Sequence, residues 1–116
     1  MLIKTVDSIE PIPVCIEGAK DVSVRVIFGP ADNAPTFAMR VFELAPGGHT
    51  PFHTHPFEHE AVVLSGRVGL VTPEGTKPLD VGDMLLVMPN EKHQFKNLSD
   101  EDSARFMCLV PIEHQK

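Results

Sequence analysis

The sequence predicts an all-β sandwich or barrel, and three observations carry that expectation. Eleven Pro and eight Gly among 116 residues recur as turn signals at short intervals. Between them lie short runs rich in Val, Ile, Leu and Phe, the pattern of many short strands. No window sustains a helical period, and Pro at this frequency does not fit a helical bundle. A chain of this length buries on the order of two-thirds of its unfolded surface, so residues 1–116 are read as a single domain around one core.

The predicted strands follow in order. Val22–Phe28 alternates apolar and polar at first and stops at Gly29-Pro30. Phe37–Leu44 is apolar with two charges and stops at Pro46-Gly47-Gly48. Ala61–Leu64 lies between Pro56 and Gly66, Arg67–Thr72 ends at Pro73-Glu74-Gly75, and Met84–Met88 lies between Gly82-Asp83 and Pro89-Asn90. Ala104–Val110 is the last, and the tail from Glu113 to Lys116 is expected to be loose. Ala61–Leu64 and Met84–Met88 are apolar at both parities. One face of each can line the interior, but the other needs cover. A second subunit is the simplest cover, so a homodimer is expected; residues 1–16 are the alternative.

The net charge of −6, from ten Lys and Arg against sixteen Asp and Glu, repels phosphate backbones. With no run of basic residues and no Tyr or Trp for stacking, nucleic-acid binding is not expected. The apolar runs are far shorter than the roughly 18 residues a membrane span needs. Two cysteines, Cys15 and Cys108, are too few for a disulfide framework. Residues 1–13 carry no basic segment followed by an apolar one, and the expectation is a cytoplasmic protein with reduced thiols.

Six His concentrate the chemistry. His53 and His55 are two apart, so on an extended strand both rings point to one face. His59 follows after the break at Pro56 and opens the next strand, and His93 sits in the later turn region. Neutral imidazoles suit transition metals, whereas Ca and Mg prefer oxygen.

At these residues the sequence resembles the cupin superfamily. Gly47, His53-Thr54-His55, His59 and Gly66 match the spacing of the first cupin motif across residues 47–66. Gly82, Pro89, His93 and Asn97 match the second across 82–97, with fifteen residues between the motifs. The resemblance implies a double-stranded β-helix, the jelly-roll barrel, with one divalent transition metal per subunit. Met88 and Asn90 replace the family's Pro and Gly, and Asn tolerates the left-handed backbone such a turn requires. His59 stands where Glu is common, so the site resembles the family's four-histidine variant: His53, His55, His59 and His93. An alternative alignment uses Glu60, and only one of two adjacent strand residues can face the metal.

Four imidazoles leave two open positions on an octahedral ion but saturate a tetrahedral one, which favours Mn, Fe, Ni or Cu over Zn. Arg40, inside an apolar run, is the candidate for orienting substrate, and it shares its parity with Phe42. Phe106 and Cys108 are candidate pocket walls, and His49 is a candidate at the pocket mouth. The expected function is a metal-dependent enzyme of oxygenase type acting on a small organic substrate. A non-catalytic small-molecule-binding or sensing module and a non-redox isomerase or lyase are the alternatives. The absence of Tyr excludes the His/Tyr acid–base chemistry of sugar-nucleotide epimerase cupins.

Overall fold

The computed structural model describes residues 1–115. Its strands are β1 (Ile12–Pro13), β2 (Lys20–Phe28), β3 (Phe37–His49), β4 (His59–Ser65), β5 (Val68–Thr72), β6 (Gly75–Leu79), β7 (Met84–Val87), β8 (Gln94–Asn97) and β9 (Ala104–Pro111). All pair antiparallel in one curled sheet of order β6-β5-β8-β3-β9-β4-β7, with β2 joining β3 and β1 to β2. This is the all-β jelly-roll barrel the sequence predicts. No helix among the described residues is long and apolar enough to cross a membrane.

Strand alternation decides what faces inward. On β9 the even positions Ala104, Phe106, Cys108 and Val110 are buried, while Arg105, Met107 and Leu109 face out. Register carries the same face across the sheet, with Arg40 opposite Cys108, Phe42 opposite Phe106 and Ala61 opposite Cys108. Phe106 stacks on Phe42 on one side and Phe95 on the other. Asn97 ties the barrel end together. Its buried amide donates to the carbonyls of Leu44, Ala45 and Asp102 and accepts from the Ser99 N–H.

Several expectations need correction. Pro46-Gly47-Gly48 does not end the third strand, which runs on to His49. A Cβ on Gly48 would meet the Asp21 carbonyl oxygen at 2.6 Å, so the glycine lets two backbones approach rather than marking a break. The short strands β1, β6 and β8 went unpredicted. β6 is an exposed edge strand with little apolar alternation to betray it. The tail is not loose: Ile112–His114 forms a 3-10 turn, and the His114 ring stacks on Phe57. Lys116, the last residue of that expectation, lies outside the described residues. Residues 1–16 do not cover the outer face of β4 and β7. Lys4 donates to the Ile27 carbonyl, Arg25 donates to the Ile9 carbonyl, and β1 pairs with β2. These contacts place the segment along β2, and Asp7 reaches across to Arg105 on β9, but none of residues 1–16 lines the outer face of β4 and β7.

Candidate metal centre

The barrel encloses a cavity of about 250 Å³. Phe42, Phe57, Phe95 and Phe106 give it flat apolar walls, and His53, His55, His59 and His93 stand together in its lining. Their convergence has a different origin from the one expected. His53 and His55 do not lie on an extended strand, because β3 ends at His49 and Thr50–Phe57 is irregular apart from one bridge. Reciprocal backbone hydrogen bonds between His53 and His93, both 3.1 Å, form that bridge and draw the two motifs together. Asn90 adopts φ 69°, the left-handed backbone expected of it, and its N–H donates to the His55 carbonyl.

His53, His55 and His93 each place one nitrogen within 4.8 Å of the others, a grouping able to hold a metal ion. Two of the rings are fixed by backbone. Nδ1 of His55 lies 2.7 Å from the Phe57 carbonyl and Nδ1 of His93 lies 2.8 Å from that of Glu91. A carbonyl only accepts, so each Nδ1 carries the hydrogen and each Nε2 keeps its lone pair. Nε2 of His55 is buried with no hydrogen-bond partner. A buried polar atom left unpaired is costly, and a metal ion would satisfy it.

His59 is buried beside this trio, its ring 4.3 Å from that of His55 and 5.3 Å from that of His93. It lies outside the mutually close set of three. Glu60 is exposed and lines the opposite face of the sheet with Met84 and Leu86. Burial pushes the His59 imidazole down to about 2, and the nearby His55 and Arg40 add to the effect. Partial desolvation also lowers His53, although that residue is exposed, and half-buried His55, where the hydrogen bond to the Phe57 carbonyl pulls the other way. A proton on the neighbouring His93 ring would further disfavour one on either. Imidazoles held neutral are the form that ligates a metal.

Arg40 faces into the cavity. Its guanidinium lies 4.9 Å over the Phe42 ring and Nη2 donates to Cys108 Sγ at 3.3 Å, while its buried Nε has no hydrogen-bond partner. Cys108 is buried and free, and burial pushes its thiol up. His49 is not in the cavity wall. Its Nδ1 lies 3.2 Å from the Thr50 carbonyl and 3.3 Å from Gln94 Nε2. Sequence reasoning missed Phe57, sandwiched between the rings of His55 and His114 with centroids 4.0 Å away on each side. Pro56 and Phe57 looked like a simple strand break, and nothing local signalled the stack.

Comparison with known proteins follows the same residues. Positions 40–110 match the family model for the cupin domain, Cupin_2. The chain is 30% identical, with a TM-score of 0.92, to the polyketide cyclase RemF from Streptomyces resistomycificus, covering 100% of this chain and 82% of that one. It is 29% identical over 97 residues to the 1-methylthio-D-xylulose 5-phosphate methylsulfurylase of Rhodospirillum rubrum, covering 84% of this chain. It is 30% identical over 70 residues to the polyketide synthase CurC of Streptomyces cyaneus, covering 60% of this chain. The chain spans 60% and 46% of the lengths of those two curated relatives.

Proposed function

The chain belongs to the cupin domain family, and on that premise we propose that it is a metal-dependent enzyme acting on the enolate of a small β-dicarbonyl substrate held in the barrel. One observation carries the substrate class. Among the described residues lining the cavity, Arg40 is the only side chain with a permanent charge, and no carboxylate is present. Such a wall offers a charged partner to an anionic substrate oxygen and none to a cationic substrate group. It also offers no base beyond the imidazoles, since His49 lies outside it and Glu60 faces away. A substrate with an intrinsically acidic C–H fits that restriction.

His53, His55 and His93 would hold the ion, with His59 as the fourth ligand of this reading. A divalent ion there would supply Lewis-acid stabilisation of the enolate charge. The guanidinium of Arg40, which lines the cavity over the Phe42 ring, would pair with a further substrate oxygen. The four Phe rings give the cavity a low-dielectric wall that would strengthen that contact. The reaction favoured is a non-redox cyclisation. The C–H proton leaves to a cavity imidazole, and the enolate carbon bonds to a further, more distant carbonyl carbon of the same polyketone. The π pair of that carbonyl moves to its oxygen, and that oxygen takes up the proton, so the cyclisation is isomeric and needs no oxidant. The likeness to a polyketide cyclase, across 100% of this chain and 82% of that one, supports this choice.

An oxygenase acting on the same enolate is the second reading. It draws on the three-imidazole grouping, which fills only half of an octahedral shell, and it favours Mn, Fe, Ni or Cu over Zn. A short linear poly-β-ketone thioester, offered with and without O₂ to protein loaded with Zn²⁺ or Fe²⁺, separates the readings. Cyclisation proceeds without O₂ and with the redox-inert ion, whereas oxygenation needs both O₂ and iron. Stabilisation by the ligand without turnover would instead make the protein a binding module. Arg40→Met is expected to lower kcat/KM about 10- to 100-fold, the worth of one charge-assisted hydrogen bond, with metal content unchanged. Partial recovery in Arg40→Lys would separate the charge from the shape. Unchanged kcat/KM in Arg40→Met would remove Arg40 from the substrate site.

The protein is also proposed to work as a homodimer through the outer face of β4 and β7. Met84, Leu86 and Met88 there are 81%, 57% and 51% exposed, beside Leu64 at 41%. A contiguous apolar face of this kind seeks cover. Sedimentation equilibrium is expected to give twice the chain mass for the wild type and the single mass for Leu86→Glu. A monomeric wild type would overturn the dimer.

A further inference from the structure

The four cavity imidazoles are not oriented alike. His55 and His93 are fixed by backbone carbonyls, which no substitution at a neighbouring side chain removes. His59 is different. Its Nδ1 faces a side chain, the Cys108 sulfur, at 3.0 Å. Register explains the contact. Cys108 pairs with Ala61 on β4, so His59, two residues back on the same face, is its diagonal neighbour. Arg40 pairs with Cys108 from the other side and donates Nη2–H to the same sulfur. The sulfur's own hydrogen has an outlet at the Leu109 carbonyl, 3.8 Å away. Two donors arriving at sulfur and one hydrogen leaving it make a consistent set.

We infer that Cys108 is a positioning residue: its sulfur accepts the Nδ1–H of His59, fixes that ring's tautomer and leaves Nε2 as the bare nitrogen. The consequence for metal binding rests on the metal-centre reading above, whereas the tautomer assignment does not. If Nε2 carried the hydrogen, the ring would have no lone pair to offer on that nitrogen. Burial of both groups and the register that aligns them hold the arrangement in place. A sulfur also differs from a backbone carbonyl in one useful respect, because it can be replaced.

The test uses the full chain before and after loading with Co²⁺. Long-range ¹H–¹⁵N correlation spectra of the imidazoles are expected to show the wild-type His59 protonated on Nδ1 and bare on Nε2. Cys108→Val keeps the volume and removes the acceptor. It is expected to populate both tautomers and to weaken Co²⁺ binding about 10- to 100-fold, with a changed visible spectrum. Cys108→Ser, which retains an acceptor, is expected to stay within a few-fold of wild type. Cys108→Ala repeats the comparison should the Val variant fail to fold. A wild-type hydrogen on Nε2, or an unchanged His59 tautomer in the Val or Ala variant, overturns the inference. If the wild-type tautomer is as stated but Co²⁺ does not bind, the metal-centre reading falls and the positioning role stands.

Discussion

Replacing His55 with Ala is expected to lower divalent-metal affinity on the order of a hundredfold or more and to abolish turnover. Loss of groups that only orient a ligand already costs roughly 10- to 100-fold, and loss of a ligand costs more. The metal-free protein should respond differently. In wild type, Nε2 of His55 is buried without a partner, an arrangement that costs roughly 1–3 kcal/mol. Alanine removes that penalty but also removes the stack on Phe57 and the Nδ1–H bond to the Phe57 carbonyl, and it leaves a small void. The gain and the losses oppose each other, so metal-free stability should change little. Binding to the folded state alone raises stability, so the Tm of the wild type should fall on chelation while that of His55→Ala stays flat. Metal analysis and paired melting curves with and without chelator provide the check. A variant that keeps both its metal and its chelator-sensitive melting would exclude His55 as a ligand.

The contrast between strands and loops explains what was legible. Alternation on β9 follows from the side-chain period of two, which is why Phe106 and Cys108 could be marked together as candidate pocket wall and why both face inward. The parity shared by Arg40 and Phe42 was readable for the same reason. His53 and His55 were found for an incomplete reason. Their spacing marked them, yet their convergence with His93 depends on a backbone bridge between residues forty positions apart. Nothing local to either segment specifies that pairing. The third strand misled because Pro46-Gly47-Gly48 has turn composition, whereas close packing against the Asp21 backbone is what requires a glycine. His114 had no motif around it. Its place against Phe57 arises from the 3-10 turn that follows β9, a tertiary contact with no sequence period.

The metal-free protein is expected to lose about 2 kcal/mol of stability between pH 7.5 and pH 5.0 through His59 alone. Folding holds this imidazole at about 2 instead of 6.5, chiefly by burial. Below pH 6.5 the unfolded chain therefore binds a proton that the folded chain refuses. Stability rises with pH wherever the unfolded state holds more protons, so acidification must destabilise the fold across this window. The slope approaches about 1.4 kcal/mol per pH unit, and the 1.5 units below 6.5 amount to about 2 kcal/mol. His53 and His55 are lowered in the same direction and add to the loss. Asp32 is held below the ordinary carboxylate range by its hydrogen bond to Lys4, so its titration lies beneath this window. A domain stability of 5–15 kcal/mol makes the effect large enough to move a urea midpoint clearly. His59→Leu should remove that share of the slope and leave the smaller dependence from His53 and His55. Urea titrations of both proteins at pH 7.5, 6.5 and 5.0 decide the matter. Equal pH slopes for the two would mean that His59 takes up its proton readily in the fold, and the dry, neutral character assigned to this side of the cavity would have to be abandoned.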